Sequence, residues 1–341
     1  MLESVRSRLE SYAAIARTAM LQFLPQTDPT SDIQKYLYAP LGEYPRRQGK
    51  LVRACLCIAA TCAQGGKLAD AVNTAIAIEL MHNATLVHDD FEDGAETRRN
   101  GRSLHLQYGP ELAINAGDAL FLLAFRPLLK NFDTLSTPVA LKLLSELDWA
   151  SWQTVGGQAV ELGWGRDNRL DLQVSDYFSM VMKKTAWLGM ILPLRAGALI
   201  ASGGAANPDR FVNFGFYLGA VFQIANDIAN FRSHPQPSDL HEGKRSLILT
   251  HVTKCATPDE TRRIADILRK PRSERSAEEA TEILNLVRQY ESIEYARLSL
   301  EAMTEAATEC FQSTFEHVGP GQDKDFIFGL IGYFGSLADV P

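Results

Sequence analysis

Residues 79–101 read ELMHNATLVHDDFEDGAETRRNG, and the first half of that stretch, with Ile78 just before it, has the spacing of an amphipathic helix: Ile78, Leu80, Met81, Leu86 and Val87 stand among polar neighbours. A helix places Asp89 and Asp93 one turn apart on the same face. Two bare carboxylates there repel each other. A hard divalent cation, which takes oxygen ligands and keeps water or phosphate as its others, removes that repulsion. Arg98 and Arg99, about two turns on, offer forked, permanently charged donors, so the stretch implies a metal and a diphosphate. An acidic run alone is most often a solvated helix face. Here the flanking LMHNATLV is mostly apolar, and apolar periodicity returns at Leu104 and Leu106, so the cluster is expected to line a cavity.

Outward from this stretch, nearly every segment repeats near 3.6 residues, including Leu2 to Phe23, Lys50 to Cys62, Ala69 to Phe91 and Glu111 to Leu129, which predicts an all-α protein. Breaks fall at Pro25 to Asp32, Gln64 to Lys67, Gly101 to Pro110, Gly203 to Pro208, Ser233 to Asp239 and Lys270 to Ser276. None has the length or bias of an interdomain linker, and no repeat is present. One domain spanning 1–341, with about ten or more helices, is the expectation.

With 46% apolar and 22% charged residues, a chain of 341 residues has enough core for a soluble globular fold. Its net charge of -7 argues against a nucleic-acid partner, since phosphate backbones select a basic excess. An acidic protein that binds diphosphate must concentrate its cations locally. Cys55, Cys57, Cys62, Cys255 and Cys310 lack the paired spacing of a zinc site and read as buried thiols in a reducing, cytoplasmic setting. The N-terminal segment is amphipathic and mixed in charge, unlike a secretory signal. Pro193 and Arg195 interrupt the longest apolar stretch, so no integral membrane segment is expected.

Further pieces fit the acidic run. Lys50 and Arg53 in QGKLVR put two cations on one face at a helix start, a pair that is unremarkable alone. GGQAVEL sets Gln158 one turn from Glu161, and KKTAWL places Lys184 and Thr185 beside an apolar helix. FQIANDIAN, from Phe222 to Asn230, repeats the first cluster's i, i+1, i+4 geometry with Asn226, Asp227 and Asn230. SDLHEGKRSLILTHV follows, bringing Lys244 and Arg245.

Taken together and in this order, GKxxR, the quoted stretch with RRNG, NAGDALF at Asn115 to Phe121, GGQAVEL, KKT, FQIANDIAN and DLHEGKRSL resemble the trans-isoprenyl diphosphate synthases of the polyprenyl synthetase family, over roughly Tyr36 to Ala296. The resemblance implies the all-α isoprenoid synthase fold, helices around a deep central active-site cavity, and a homodimer. It implies that Asp89 and Asp93 hold magnesium ions, two to three in all with Asn226 and Asp227, bridging to an allylic diphosphate. Asp90 supports that motif, and Arg98 holds the same diphosphate. Lys50, Arg53, His82 and Arg99 are matched to the diphosphate of isopentenyl diphosphate. Lys184, Thr185, Gln223 and Lys244 fall at positions lining the allylic site. The implied reaction ionises the allylic carbon-oxygen bond, condenses the cation with isopentenyl diphosphate and eliminates a proton. Ala84 and Thr85, five and four residues before Asp89, are small, and Met81 one turn below closes the pocket, which by analogy implies a product of about twenty carbons, geranylgeranyl diphosphate.

Two departures stand out. The family favours aspartate where this chain has Asn226, and FRSHPQPS (231–238) lacks the Gly-Lys that usually precedes DLxEGK. These keep open a class I terpene cyclase or a prenyltransferase to a non-isopentenyl acceptor, and a non-catalytic subunit of a heteromeric synthase. A cyclase pattern would continue with serine or threonine and then glutamate at the positions of Asn230 and His234, and it has no need of the Lys50, Arg53 and His82 grip.

Overall fold

The computed structural model describes residues 2–26, 28–233 and 237–339. Its helices in chain order are α1 (Leu2–Phe23), α2 (Ala39–Arg46), α3 (Val52–Ala63), α4 (Leu68–Glu92), α5 (Leu104–Tyr108), α6 (Pro110–Thr134), α7 (Thr137–Arg166), α8 (Val174–Val181), α9 (Leu192–Ala201), α10 (Val212–Ser233), α11 (Ser238–Glu242), α12 (Leu247–Cys255), α13 (Pro258–Arg269), α14 (Ala277–Gln289), α15 (Ser292–Thr314) and α16 (Gln322–Gly335). Wide π-helical turns occupy Gln34–Tyr38 and Met182–Ile191. The all-α expectation holds, with α1 ending where its periodicity ends.

Three readings need correction. The segment from Gly101 to Pro110 is not a simple loop, for it contains α5 and the second strand of a short hairpin, β1 (Thr97–Arg98) with β2 (Gly101–Arg102). Arg98 and Arg99 therefore sit in that hairpin and not two helical turns beyond Asp89. Cys255 is exposed, because it is the last residue of α12, while Cys55 and Cys57 are buried as expected and Cys62 and Cys310 are partly buried. Of the break from Ser233 to Asp239, His234, Pro235 and Gln236 lie outside the described residues.

The chain forms two compact units. One gathers the chain up to Ser151 with Ile191–Phe211 and His317–Ile327. In it, α4 packs along α6 and α3, and α3 packs on α9. The last contact depends on small residues: a Cβ on Gly197 would lie 2.6 Å from the Cβ of Ala60. At that close approach Ala54, Cys57, Ala59 and Ala60 are fully buried. Among the described residues, α6 is the one helix long and apolar enough to cross a membrane. Its buried positions, among them Ala116, Leu120, Ala124 and Leu128, supply its side of the α4 contact.

The other unit gathers Trp152–Met190, Val212–Glu316 and the chain from Phe328. Its core is aromatic. Phe214 of α10 meets Phe311 of α15 and Phe315 just beyond its end at ring-centre distances of 5.4 and 5.8 Å, edge-to-face arrangements that aromatic quadrupoles favour. Helix starts here are specified locally. Thr257 with Glu260, and Ser276 with Glu279, form capping boxes at α13 and α14.

Candidate active site

In the first unit the acidic motif occupies the last turn of α4. Asp89 and Asp93 are both partly exposed, and the Asp93 N–H donates to the Asp89 carbonyl at 2.8 Å, so the two stand one helical turn apart as the spacing requires. Asp90 has the opposite character. It is fully buried, accepts the Tyr44 hydroxyl at 2.5 Å, and receives the Arg98 guanidinium through Nε at 2.9 Å and through Nη2. Arg98 Nη2 also lies 3.8 Å from Asp89. Asp90 thus anchors the motif from inside while its neighbours face outward.

The RRNG sequence gains a conformational reason. Arg99 and Asn100, at φ 49° and 60°, are the two central residues of a two-residue hairpin whose strands pair Arg98 with Gly101. Positive φ at both positions is the type I′ geometry that matches strand twist, and it costs an L-residue such as arginine strain. The strained turn aims the Arg99 guanidinium at the Tyr44 carbonyl, 2.9 Å, and at Asn83 Oδ1, 3.2 Å. Gly49 lies against that guanidinium, where a Cβ would come within 2.7 Å of Cζ. Arg47, which sequence reasoning passed over, clamps the hairpin by donating to the carbonyls of Arg98 and Arg102 at 3.0 and 2.8 Å. Arg17, also missed, donates to the Gly49 carbonyl at 2.8 Å.

Around this hairpin the same unit collects cations. Burial lowers the Arg53 guanidinium to about 10, with the Glu79 carboxylate opposing and the Arg99 charge adding to the effect, and its buried Nε has no hydrogen-bond partner among the described residues. Burial, reinforced by the charges of Arg53, Arg99 and Arg98, holds the His82 imidazole well below its usual value. Buried Glu79, whose Oε1 accepts the Ala54 N–H at 3.1 Å, is the counter-charge. Lys50 is exposed at the edge of α3. Crowded guanidinium groups, a neutral imidazole and an unsatisfied buried donor describe a site that an anion would complete. His82 and Asp89 lie seven residues apart on α4, two turns along one face, about 10 Å.

Upstream on α4, Met81 and Ala84 are buried, and Thr85 is partly buried with its hydroxyl turned back to the His82 carbonyl at 2.8 Å. His88, next to Asp89, leans on Phe121 of α6 with ring centres 5.4 Å apart and lies 3.4 Å from Asp118. Gly117 makes room for that imidazole, which gives NAGDALF a packing role.

The second unit assembles the later motifs into one network. The Thr185 hydroxyl donates to Gln223 Oε1 at 2.8 Å, and Gln223 Nε2 donates to Asp227 Oδ1 at 2.9 Å. Asp227 Oδ2 accepts the Tyr177 hydroxyl at 2.8 Å and the Leu247 N–H at 3.2 Å. Both oxygens of Asp227 are therefore engaged by protein donors, all of them neutral. Burial raises its carboxyl to about 6, the three donors opposing. Asn226, one position round α10, is partly exposed. Asn230 donates to Ser238 Oγ at 2.7 Å and accepts the Asp239 N–H at 3.2 Å, which fastens α10 to the start of α11.

Lys184 and Thr185 lie in the π-helical turn, a local widening frequent at functional sites. Two glycines permit it. A Cβ on Gly157 would run into the Lys184 backbone, and one on Gly219 would lie 2.7 Å from the Ala186 Cβ. Lys184 pairs with Glu161, and Lys244 pairs with Glu242 at 2.7 Å. Asp239 joins this acidic group: burial and then the Asp227 charge raise it to about 8 against the pull of Lys244. Tyr44, Tyr177, Glu79 and Asp239 were not foreseen as site residues. For Asp239 a signal existed, since it opens DLHEGK; for the tyrosines none did.

Asp89 and Asp93 fit an ion that takes one or two carboxylates together with water and phosphate oxygens. Among the described residues no three His, Cys, Asp or Glu side chains converge at metal-ligand geometry, so further oxygens would have to come from water and bound diphosphate.

The model of the polyprenyl synthetase family matches residues 34–287. A short chain isoprenyl diphosphate synthase from Methanothermobacter thermautotrophicus is 33% identical over 254 residues, 73% of this chain and 75% of that protein. A geranylgeranyl diphosphate synthase from Sulfolobus acidocaldarius is 30% identical over the same shares. A solved geranylgeranyl pyrophosphate synthetase from Pyrococcus horikoshii has a TM-score of 0.84 at 27% identity, covering 98% of each chain.

Proposed function

Because the chain belongs to the polyprenyl synthetase family and is a prenyltransferase with the isoprenoid synthase fold, we propose that it condenses an allylic diphosphate with isopentenyl diphosphate and releases a product of about twenty carbons. One observation carries this reading. His82, whose imidazole feels the charges of Arg53 and Arg99, stands two turns along α4 from Asp89, so a cationic cluster gathers around one level of the helix and the paired carboxylates Asp89 and Asp93 mark another. A reaction joining two diphosphates needs both.

Asp89 and Asp93 would hold magnesium ions, which when bound would supply positive charge to offset that of the allylic diphosphate leaving group. Arg98, locked by Asp90, presents its remaining donors beside them. Arg53, Lys50 and Arg99 orient isopentenyl diphosphate, and His82 in its neutral form offers a donor without adding to the crowded charge. In the second unit Lys184, Thr185, Gln223 and Lys244 take the allylic side. Asp227 contributes by holding Gln223 and Tyr177 in place. Of the metal residues expected in that motif, Asn226 and Asp227, Asn226 would contribute an amide oxygen, a weaker ligand than a carboxylate.

Ala84 and Thr85 leave room for a growing tail, and buried Met81 one turn below bounds it. A homodimer is supported by an apolar stripe on α6: Leu122, Phe125, Leu129 and Phe132 recur at three- and four-residue spacing, with Leu122 72% and Leu129 57% exposed. A second copy of the chain would cover it.

The test is incubation of the purified chain with magnesium, isopentenyl diphosphate and dimethylallyl, geranyl or farnesyl diphosphate, with products sized by mass spectrometry. Twenty-carbon diphosphate is expected. A strict fifteen-carbon product overturns the Ala84, Thr85 and Met81 argument. Cyclic hydrocarbons from the allylic substrate alone, or no product at all, overturn chain elongation itself.

A further inference from the structure

Helix α11 ends at Glu242, and the turn that follows it carries Lys244 and is gripped by two arginines whose hydrogen-bond acceptors among the described residues are all neutral. Arg245, 3% exposed, donates from Nε to the Arg169 carbonyl at 2.9 Å, from Nη2 to Asn168 Oδ1 at 2.8 Å, and from Nη1 to the Gly243 carbonyl. Arg275 donates from Nη1 to the Leu240 and His241 carbonyls, from Nη2 to Leu268 at 2.8 Å and from Nε to Lys270 at 3.0 Å. Arg245 is buried and Arg275 half-buried, and a charge removed from water is expensive unless compensated, so two guanidinium groups bound, among the described residues, only to carbonyls and an amide need a reason. Part of it lies in their acceptors: Leu268 and Lys270 stand at the C-terminal end of α13, and Leu240 and His241 near the end of α11, where helix-end carbonyls carry partial negative charge. The rest is geometric. A planar fork ties several carbonyls from separate segments into one frame, which a lysine with its single nitrogen does not.

That frame encloses Gly243, at φ 74°, where any Cβ would lie 3.1 Å from Arg275 and 3.4 Å from Arg245. It also reaches Asn168, itself at φ 51° and donating to the Ala265 carbonyl at 2.9 Å. The residue between Gly243 and Arg245 is Lys244. We propose that Arg245 and Arg275 are positioning residues that fix the 240–245 turn so that Lys244 meets the allylic diphosphate, an inference that rests on the prenyl-transfer reading above. With no Gly-Lys before DLHEGK, Lys244 is a cation whose placement has no close substitute in that segment.

The test measures both Michaelis constants for Arg245→Met, Arg245→Lys and Lys244→Ala, and for the double variant of Arg245→Met with Lys244→Ala. Asn168→Gly is added because it removes the amide while keeping the left-handed backbone unstrained. Arg245→Met raises KM for the allylic diphosphate about tenfold and leaves that for isopentenyl diphosphate within about twofold, and Arg245→Lys does not rescue it. In the Lys244→Ala background the same substitution adds less than about twofold, the non-additivity expected of residues acting as one unit. Asn168→Gly shows a smaller rise of the same kind. Equal effects on both Michaelis constants, rescue by lysine, or an undiminished effect without Lys244 overturn the proposal. Amide exchange over 240–246 is read on the same proteins. It accelerates in Arg245→Met if the arginines hold the turn, and unchanged exchange refutes them. If the wild-type chain makes no product, the prenyl-transfer reading fails, and the exchange result still decides whether the arginines hold the turn.

Discussion

The two aspartate-bearing motifs share a plan and differ in charge. In each, the second member of the pair is buried and accepts a tyrosine hydroxyl from a distant helix, Tyr44 for Asp90 and Tyr177 for Asp227. In the first motif the buried carboxylate meets the Arg98 guanidinium, and the outward neighbour is a carboxylate. In the second, all three donors to Asp227 are neutral, burial lifts its carboxyl to about 6, and the outward neighbour is Asn226. Asp227 already feels Glu161, and Asp239 feels Asp227, Glu242 and Glu161, so a further aspartate at 226 would add charge to an acidic group lacking a guanidinium partner. The comparison teaches that a buried acid can serve the same geometric purpose with or without a counter-ion, at different electrostatic cost.

The most forceful way to break this comparison is to neutralise the outward residue of each motif. Asp89→Ala should reduce turnover about a thousandfold or more, roughly 4 kcal/mol on the barrier, with circular dichroism unchanged. Asn226→Ala should cost only about tenfold. Equal losses would mean that the second motif carries as much of the metal chemistry as the first. Next in size is removal of the inner partners. Arg98→Met should destabilise the protein by about 2 to 3 kcal/mol, discounted from the fully buried case because Arg98 is partly exposed. Gln223→Leu removes a neutral donor and should cost about 1 kcal/mol. Denaturant unfolding decides, and a larger loss for Gln223→Leu reverses the assigned roles.

The smallest effect is in pH dependence, where the two units have opposite signs. His82 is held below its ordinary value, so the native state is disfavoured as pH falls below about 6.5 and the unfolded chain gains a proton. Asp227 is raised, so its contribution is fully present below about 3.8 and is lost as pH rises through about 6. Between pH 7.5 and 5.5, wild type should lose more stability than His82→Asn. An identical loss in both would remove His82 from the cationic cluster.

Much of this was readable beforehand, and what was not has a physical pattern. Helix α4 and the face shared by His82 and Asp89 follow from 3.6-residue periodicity, which is local. Tyr44 lies 46 residues from Asp90 and Tyr177 lies 50 from Asp227, and a hydroxyl meeting a carboxylate across such a separation leaves no spacing signal. The π-helical turn around Lys184 has apolar spacing close to that of an ordinary helix, so only the glycines opposite it, Gly157 and Gly219, mark the place. The hairpin at Arg98 to Gly101 was missed because strands of two residues are too short to alternate.

That hairpin has a consequence for anyone altering the enzyme. At Arg99 the backbone wants glycine, because the turn demands a left-handed conformation, while the proposed grip on isopentenyl diphosphate wants a guanidinium. Selection for heat tolerance and selection for catalysis would pull this single codon in opposite directions. A library screened only for robustness should drift toward glycine there and lose substrate affinity without any sign of misfolding.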